Sequence, residues 1–464
     1  MYLYKFKSIS LLAIITLFIF SGCTRKADQN TFGRGSINSE SYSESNAAKL
    51  VAAGQPEDAA EEYARIGEQL LIPGAVEYAD QMFDKALNLN INNRRANLYS
   101  AFTKPIMSFK GFIPRFEKLV NDNSVKQNEV WELYFKLQNE IEKVKLPELR
   151  RFSFELPTGE TPFNNYHEFQ RFLRGNLMKA LLDSEAKLDR IMNGDEIELY
   201  IDFEQAWQKK SGLNKEYLQN STCVKNEKDG WSCKAPKKSS AAASSNIKVD
   251  PVDVKVLKGS MMAVVDFIRL KTAYNILGSD EAIKEIQAAY ERKKAQGKKL
   301  STRDVVRALR HYDDLFTLAD DHQLPELANS VVQVLRHALD LHTMRNEICN
   351  NPHRQKRVFP SICIGLSALD SIELALDLLA GPTEILIGEN EYGEPVTLYV
   401  DVTPVVQNPS KDLKDLLPTN FDYKGEPVSF PDPSMGGLFP NGDFFEKFKE
   451  VKKDRGISFT KAEK

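Results

Sequence analysis

Two consecutive stretches within residues 56–93 carry apolar and small side chains on one predicted helix face. Pro56 presets the backbone of an opening turn, and Glu57 and Asp58 follow where the helix dipole favours negative charge. Pro73-Gly74 interrupts the pattern, which predicts that one helix ends and another begins. A helix with one apolar face must bury it, so the two stripes predict a packed pair. The stripes are Ala60, Tyr63, Ile66, Gly67, Leu70 and Leu71, then Val76, Ala79, Phe83, Ala86, Leu87 and Leu89.

This pair resembles a tetratricopeptide (TPR) repeat. The resemblance implies two antiparallel helices that approach at small residues, with an aromatic ring filling the groove between them. Ile91 stands where that family often has proline. One repeat cannot stand alone, so we expect Ala47–Ala53 to end a preceding unit and Asn97–Ala101 to begin another, interrupted by Pro105. The residues that carry the resemblance, and that we predict to pack the repeat, are Tyr63, Ile66, Gly67, Leu70, Ala79, Phe83 and Ala86.

Helical patterns dominate the rest of the chain up to Gly381-Pro382, where the character changes. Two strands are then predicted, at 384–387 and 396–402, joined as a hairpin. The sequence therefore predicts a mainly α fold: a TPR-like antiparallel helix-hairpin array with a small C-terminal β-hairpin and irregular cap. The other predicted elements are helices at 129–144, 167–192, 254–277, 280–296, 302–319, 324–347 and 362–380, and a short strand at 196–203.

Residues 403–443 are rich in proline and glycine but also contain large apolar side chains. We expect an ordered wrap rather than a linker, because those side chains need burial. They are Phe421, Tyr423, Phe430, Met435, Leu438 and Phe439.

The first residues predict an export signal. Lys5 and Lys7 precede an apolar run of a dozen residues, too short to span a bilayer but typical of a signal peptide. Ser21-Gly22-Cys23 resembles the lipobox of bacterial lipoproteins, although Phe20 stands where leucine is usual. The resemblance implies cleavage before Cys23 and acylation there, with palmitate among the expected chains. The alternative is a plain secretory signal with a chance cysteine.

The residue after Cys23 is Thr24, not the aspartate that retains enteric lipoproteins in the inner membrane. The resemblance therefore favours an outer membrane, on its periplasmic face. The predicted organisation is a signal peptide at 1–22, a flexible tether at 23–46, an N-terminal helical region at 47–233, a linker or loop at 234–250, a second helical region at 251–380, the hairpin and wrap at 381–445, and a tail at 446–464.

Four cysteines remain once Cys23 is set aside, an even count that suits an oxidising periplasm. We expect the sequence-local disulfides Cys223–Cys233 and Cys349–Cys363, with Asp229-Gly230 as a hairpin turn within the first. Other connectivities and unpaired thiols are the alternatives.

Motifs for catalysis are consistent with chance. Ser184-Glu-Ala-Lys187 fits the Ser-x-x-Lys of penicillin-binding proteins, but we expect Ser184 to be an exposed helix residue. The basic run 292–303 suits a helix C-terminus, with contact to anionic headgroups as the alternative. The loop 430–443 offers oxygen ligands for calcium, although such loops are usually only turns. We therefore predict no catalytic residue, no metal and no cofactor.

The composition limits the possible functions. Hydrophobic residues make up 42% and charged residues 27%, which excludes wholesale disorder and a multi-span membrane protein. Lys plus Arg is 62 and Asp plus Glu is 65, so nothing supports a nucleic-acid binder. The predicted function is a membrane-anchored, periplasm-facing scaffold that binds another envelope protein. The alternatives are an envelope enzyme or wall-binding protein whose site lies in 381–443, with Asp401, Asp432 and Asp443 converging, and a purely structural spacer.

Overall fold

The structure is a computed structural model that is mainly helical, with small antiparallel sheets. It describes residues 41–71, 75–121, 147–192, 197–199, 223–226, 230–234, 247–249, 251–343, 366–451 and 460–461. The predicted signal peptide with Cys23, the predicted helix at 129–144, and Cys349 and Cys363 lie outside the described residues.

The first half of the chain forms β1 Ser41–Ser43, α1 Glu44–Ala52, α2 Pro56–Gln69, α3 Val76–Leu89, α4 Arg94–Met107, α5 Phe112–Asn121, α6 Pro147–Phe154, α7 Tyr166–Phe172, a π-helical turn Leu173–Leu177, α8 Met178–Ile191, β2 Ile197–Leu199, β3 Cys223–Asn226 and β4 Gly230–Lys234.

The second half forms β5 Ile247–Val249, α9 Pro251–Thr272, α10 Ser279–Ala295, α11 Thr302–Arg310, α12 Gln323–Thr343, α13 Leu366–Ala380, β6 Thr383–Glu389, β7 Pro395–Val400, α14 Thr403–Gln407, a 3-10 helix Leu413–Leu416, β8 Asn420–Phe421, β9 Pro427–Ser429, α15 Phe444–Glu450 and β10 Thr460–Lys461.

Short polar side chains start several helices where the sequence places them. The Ser43 hydroxyl accepts from the N–H of Asn46 at 3.1 Å, and the Asn93 side chain accepts from the N–H of Ala96 at 2.8 Å. Such N-caps satisfy backbone donors that have no partner inside the helix. Ser301 forms a full capping box with Asp304 at the start of α11.

The strands pair antiparallel in four small sheets. Their orders are β1-β4-β3, β2-β5, β10-β6-β7 and β8-β9. The predicted hairpin is confirmed as β6–β7. Buried Val396, Leu398 and Val400 alternate along β7 and face one core.

The described residues divide into two compact units, each discontinuous in sequence. Unit 1 holds those up to Asn164 and those of Asn176–Val264, and unit 2 holds those of Asn165–Gly175, Val265–Arg345 and Cys363–Lys464. The division falls within α9 rather than at the linker predicted over 234–250. Part of that predicted linker is strand, because Ile247–Val249 pairs with Ile197–Leu199.

Unit 1 contains a succession of packed helices. Helix α1 packs against α2, α2 against α3, α3 against α4, and α4 against α8. Helix α4 continues through Pro105, which lies in its last turns, so the predicted interruption is wrong. A proline close to a helix end removes a single backbone donor, and the remaining bonds of the helix persist.

Unit 2 has an apolar cluster around the β6–β7 hairpin. Ile385, Ile387, Val396 and Leu398 are buried there, and Val451 joins them. Because Val451 belongs to the cluster and Thr460–Lys461 pairs with β6, the predicted tail at 446–464 is wrong in these parts. Helix α15 also extends across the predicted boundary at residue 445.

The predicted tether at 23–46 is too long at its C-terminal end. Ser41–Ser43 forms β1, which pairs with β4, and α1 begins at Glu44. The backbone of this polar stretch is satisfied by the sheet and by the Ser43 cap. Polar composition alone therefore misplaced the boundary by several residues.

Helix α11 ends at Arg310, well before the predicted end at residue 319. Lys414 Nζ donates to the carbonyls of Tyr312 and Asp313, at 2.7 and 2.5 Å, and Phe316 has a positive φ of 64°. Contacts from a distant segment thus replace the helical bonds that would continue α11.

In the predicted wrap, Tyr423 is 88% exposed, which contradicts the expectation that it is buried.

Candidate functional site

The predicted repeat residues come together where α2 packs against α3. Gly67 on α2 lies so close to the Phe83 ring that a Cβ there would be 2.5–2.9 Å from three ring atoms. A small residue is therefore required at this position by contact. Tyr63 is only partly buried, with Lys85 Nζ 5.5 Å from its ring centroid. Leu70, Ala79, Phe83 and Ala86 are fully buried.

A buried polar network joins α2 to α4. Glu68 accepts from the Arg95 guanidinium at 2.9 Å and from the Tyr99 hydroxyl at 2.5 Å. Arg95 also donates to Glu61 at 3.1 Å. Burial, followed by the charge of Glu68, raises the pKa of Tyr99 well above its ordinary value, so its hydroxyl stays a donor. Each buried charge has a partner, as a buried carboxylate requires.

The aromatic ring of the predicted repeat is shared between three helices. Phe83 on α3 contacts Gly67 on α2 and stacks on Tyr99 of α4, with ring centroids 5.4 Å apart. On the other side, Thr103 and Lys104 of α4 donate to Asp80 of α3 at 2.6 and 2.9 Å. Helix α4 is therefore bound to the α2–α3 pair by apolar and polar contacts together.

One face of α2 is covered by the N-terminal strand. The backbone N–H of Ser43 donates to Glu62 at 2.8 Å, and the Arg65 guanidinium lies 5.8 Å from the Tyr42 ring centroid. Strand β4, which pairs with β1, also packs against α2. This face of the array is therefore occupied by unit 1 itself.

A second surface feature lies in unit 2, where a groove of about 980 Å³ borders α11. Arg303, Arg307 and Arg310 follow one another at spacings of four and three residues, so they share one face of the helix. The groove is lined by Glu285, Arg303, Val306, Arg307, Arg310, His311, Thr419, Asn420 and Phe421.

The two outer arginines of this row hold the opposite wall. Arg303 donates to the carbonyls of Phe421 and Asp422 at 3.2 and 2.7 Å. Arg310 donates to the carbonyl of Leu417 at 2.9 Å. Within the described part of the chain, the guanidinium of Arg307 between them makes neither a hydrogen bond nor an ion pair, and the side chain is exposed.

The start of α11 is set by its capping box. Ser301 and Asp304 bond reciprocally, and Lys293 lies 3.1 Å from the Asp304 carboxylate. Although burial acts to raise it, hydrogen bonds from Ser301 and contact with Lys293 lower the pKa of Asp304 to about 2. Lys293 belongs to the basic run 292–303, so part of that run is used for local structure.

Two of the three carboxylates proposed for a C-terminal site, those of Asp401 and Asp432, are engaged locally. Asp432 accepts from the Ser434 hydroxyl at 2.6 Å and the Gly436 N–H at 2.6 Å, which lowers its pKa. Asp401 accepts from the N–H of Thr403 at 2.9 Å. Asp443 stands at the N-cap position of α15, but its side chain makes no capping bond there, and its buried Oδ1 has no hydrogen-bond partner among the described residues. Among the described residues, no group of three or more His, Cys, Asp or Glu side chains is placed to hold a metal ion.

The cysteine prediction receives backbone information at one pair. Cys223 on β3 lies directly opposite Cys233 on β4 in the antiparallel register. Gly230, expected in the turn, is the first residue of β4. The two disulfides remain predictions.

Ser184 is buried, so its predicted exposure is wrong. Its hydroxyl donates to the carbonyl of Ala180 at 2.8 Å, the bond that a serine makes inside a helix. Lys187, the other end of the Ser-x-x-Lys motif, pairs with Asp183. Both motif side chains are thereby accounted for by the helix.

Compared with known proteins, the chain matches no family model, no curated sequence and no solved structure. None of the described helices is both long enough and apolar enough to cross a membrane. The sequence reasoning found the α2–α3 contact but missed the groove of unit 2. The sequence does indicate this groove, through the helical spacing of Arg303, Arg307 and Arg310.

Proposed function

We propose that this chain is a membrane-anchored lipoprotein that acts as a protein-interaction scaffold on the periplasmic side of the bacterial envelope, in the outer membrane. The anchor is acylated Cys23, and residues 24–40 connect it to the folded part. In this proposal the helices from α1 to α4 serve as a TPR-like array, an architecture that commonly presents side chains to a protein partner.

The observation that carries the proposal is the continuous packing of α1 to α4 and α8. The Gly67–Phe83 contact and the Glu68–Arg95 network give that array a rigid frame. A rigid frame reduces the conformational entropy that is lost on binding. Exposed apolar side chains are found on it at Val51, Ile91 and Leu182, which are 44%, 56% and 37% exposed.

The proposal is tested by site-specific photo-crosslinking in cells. A photoreactive amino acid replaces Val51, Ile91 or Leu182, one position at a time. Each replacement is made in two backgrounds, the native chain and the Cys23→Ala variant. We expect a discrete adduct with one envelope protein at one or more of the three positions, reduced or lost when Cys23 is replaced. Adducts with lipid and wall fragments alone, in both backgrounds, would overturn the scaffold proposal.

A further inference from the structure

We propose that the groove beside α11 binds an acidic peptide segment of a partner protein, with Arg307 as the charge that the segment neutralises. The inference takes one point from the proposed function, namely that the partner is a protein. Its physical basis lies in residues of unit 2 alone.

The charge of the groove favours an anion. Its lining contains three arginines and one acid, Glu285, which already lies 3.0 Å from His311 Nδ1. The acids next to the row are also engaged, because Asp304 contacts Ser301 and Lys293 while Asp422 accepts from the N–H groups of Lys424 and Glu426. The charge of Arg307 therefore remains uncompensated by the described residues.

The walls of the groove favour a peptide over a small inorganic anion or a lipid headgroup. Val306 is buried at the base, and Phe421 presents a partly exposed ring beneath Arg303, 5.5 Å from its guanidinium. Thr419 and Asn420 add hydroxyl and amide groups. A segment with carboxylates next to an apolar side chain complements both kinds of surface.

The spacing of the arginines fits an extended chain. Arg303 and Arg310 are seven residues apart on the helix, which is about 10 Å along its axis. An extended peptide covers that distance in about three residues. Carboxylates on alternate residues can thus reach both Arg307 and the guanidinium donors of Arg310 that the carbonyls of Lys414 and Leu417 do not use. Arginine suits this role because its planar fork binds carboxylates in a bidentate manner.

The test measures fluorescence anisotropy of a short peptide that carries several glutamates around one phenylalanine, added to the purified full-length protein. Arg307→Gln is the test variant. Arg292→Gln is the matched control, because Arg292 is exposed on α10 in the same unit and outside the groove. We expect Arg307→Gln to weaken binding about tenfold and Arg292→Gln to change it less than about twofold, since only the first removes a contact of ~1.4 kcal/mol.

Two further measurements test whether the carboxylates of the peptide drive its binding. The same peptide with glutamines in place of glutamates should lose binding, and Glu285→Gln should strengthen it by removing the groove's acid. Equal affinity in Arg307→Gln and Arg292→Gln would overturn the proposal. So would Arg307-dependent binding to anionic phospholipid vesicles without any to the peptide, which would assign the groove to a membrane. Neither result depends on whether the crosslinking at unit 1 finds a partner.

Discussion

Replacing Gly67 by alanine tests whether the α2–α3 contact specifies the helical pair. The added Cβ would meet three atoms of the Phe83 ring at 2.5–2.9 Å, and that ring is completely buried. Overpacking of this kind costs about 1–3 kcal/mol. Against this, alanine is favoured over glycine within a helix by about 1 kcal/mol.

The matched control is Gly259→Ala in α9, which also belongs to unit 1. Nothing lies within 4 Å of a Cβ at Gly259, so only the gain in helix propensity remains there. Subtracting the two substitutions removes the propensity, and the stability of Gly67→Ala should lie below that of Gly259→Ala by about 1–3 kcal/mol.

The measurement is urea unfolding followed by circular dichroism of the helical signal. A second variant, Phe83→Leu, shortens the side chain that the new Cβ meets. In that background Gly67→Ala should recover most of its loss, because the clash is with the ring. If Gly67→Ala raises the unfolding midpoint as much as Gly259→Ala does, the contact does not restrict the pair and the packing argument is refuted.

Three further predictions concern the anchor, the hairpin and the start of α11. Cys23→Ala should abolish labelling by radioactive palmitate and release the protein from the membrane fraction, and persistent labelling would contradict the lipobox. Opposed cysteines in an antiparallel pair have Cα atoms about 4.5–5.5 Å apart, within disulfide range. Cys223→Ser should therefore free one thiol at Cys233, detected by alkylation and mass spectrometry, and a thiol already free at Cys223 or Cys233 in the native protein would disprove the pair. Because the Asp304 pKa of about 2 lies below the unfolded value of about 3.9, its stabilisation is present above pH 4 and is lost as the pH falls towards 2. Ser301→Ala should cost about 1 kcal/mol at pH 7 and weaken this acid dependence in thermal melts, whereas an unchanged acid profile would exclude the capping box as its source.

The helical pair could be predicted from sequence because its information is local. The stripes that contain Gly67 and Phe83 repeat at helical spacing within one short segment, and the small residue and the ring meet where the resemblance placed them. The end of α11 could not be predicted in the same way. Lys414, about a hundred residues later, donates hydrogen bonds to the carbonyls of Tyr312 and Asp313, and no local pattern encodes that contact.

The wall of the groove that faces α11 could not be predicted from the sequence for the same reason. The arginine spacing along α11 is visible in the sequence, but the opposite side comes from residues 419–421, which reach α11 only through the fold. A run of basic residues is also easily overvalued when counted alone. In the run 292–303, Lys293 serves the Asp304 cap and Arg303 holds the carbonyls of Phe421 and Asp422.

Two different roles are therefore found among Arg303, Arg307 and Arg310, and the sequence alone cannot distinguish them. Arg303 and Arg310 donate to carbonyls within residues 414–422, so each stabilises the wall that it faces. The Arg307 guanidinium makes no hydrogen bond or ion pair within the described residues, so none of the described pairings depends on its charge. The helix fixes the backbone of Arg307 between these two neighbours, while its exposed side chain keeps rotamer freedom that is lost when a carboxylate binds. A charge that the described residues leave unpaired, at a fixed place beside the groove, is thus the reason why Arg307, and not the longer basic run, is the cation to test.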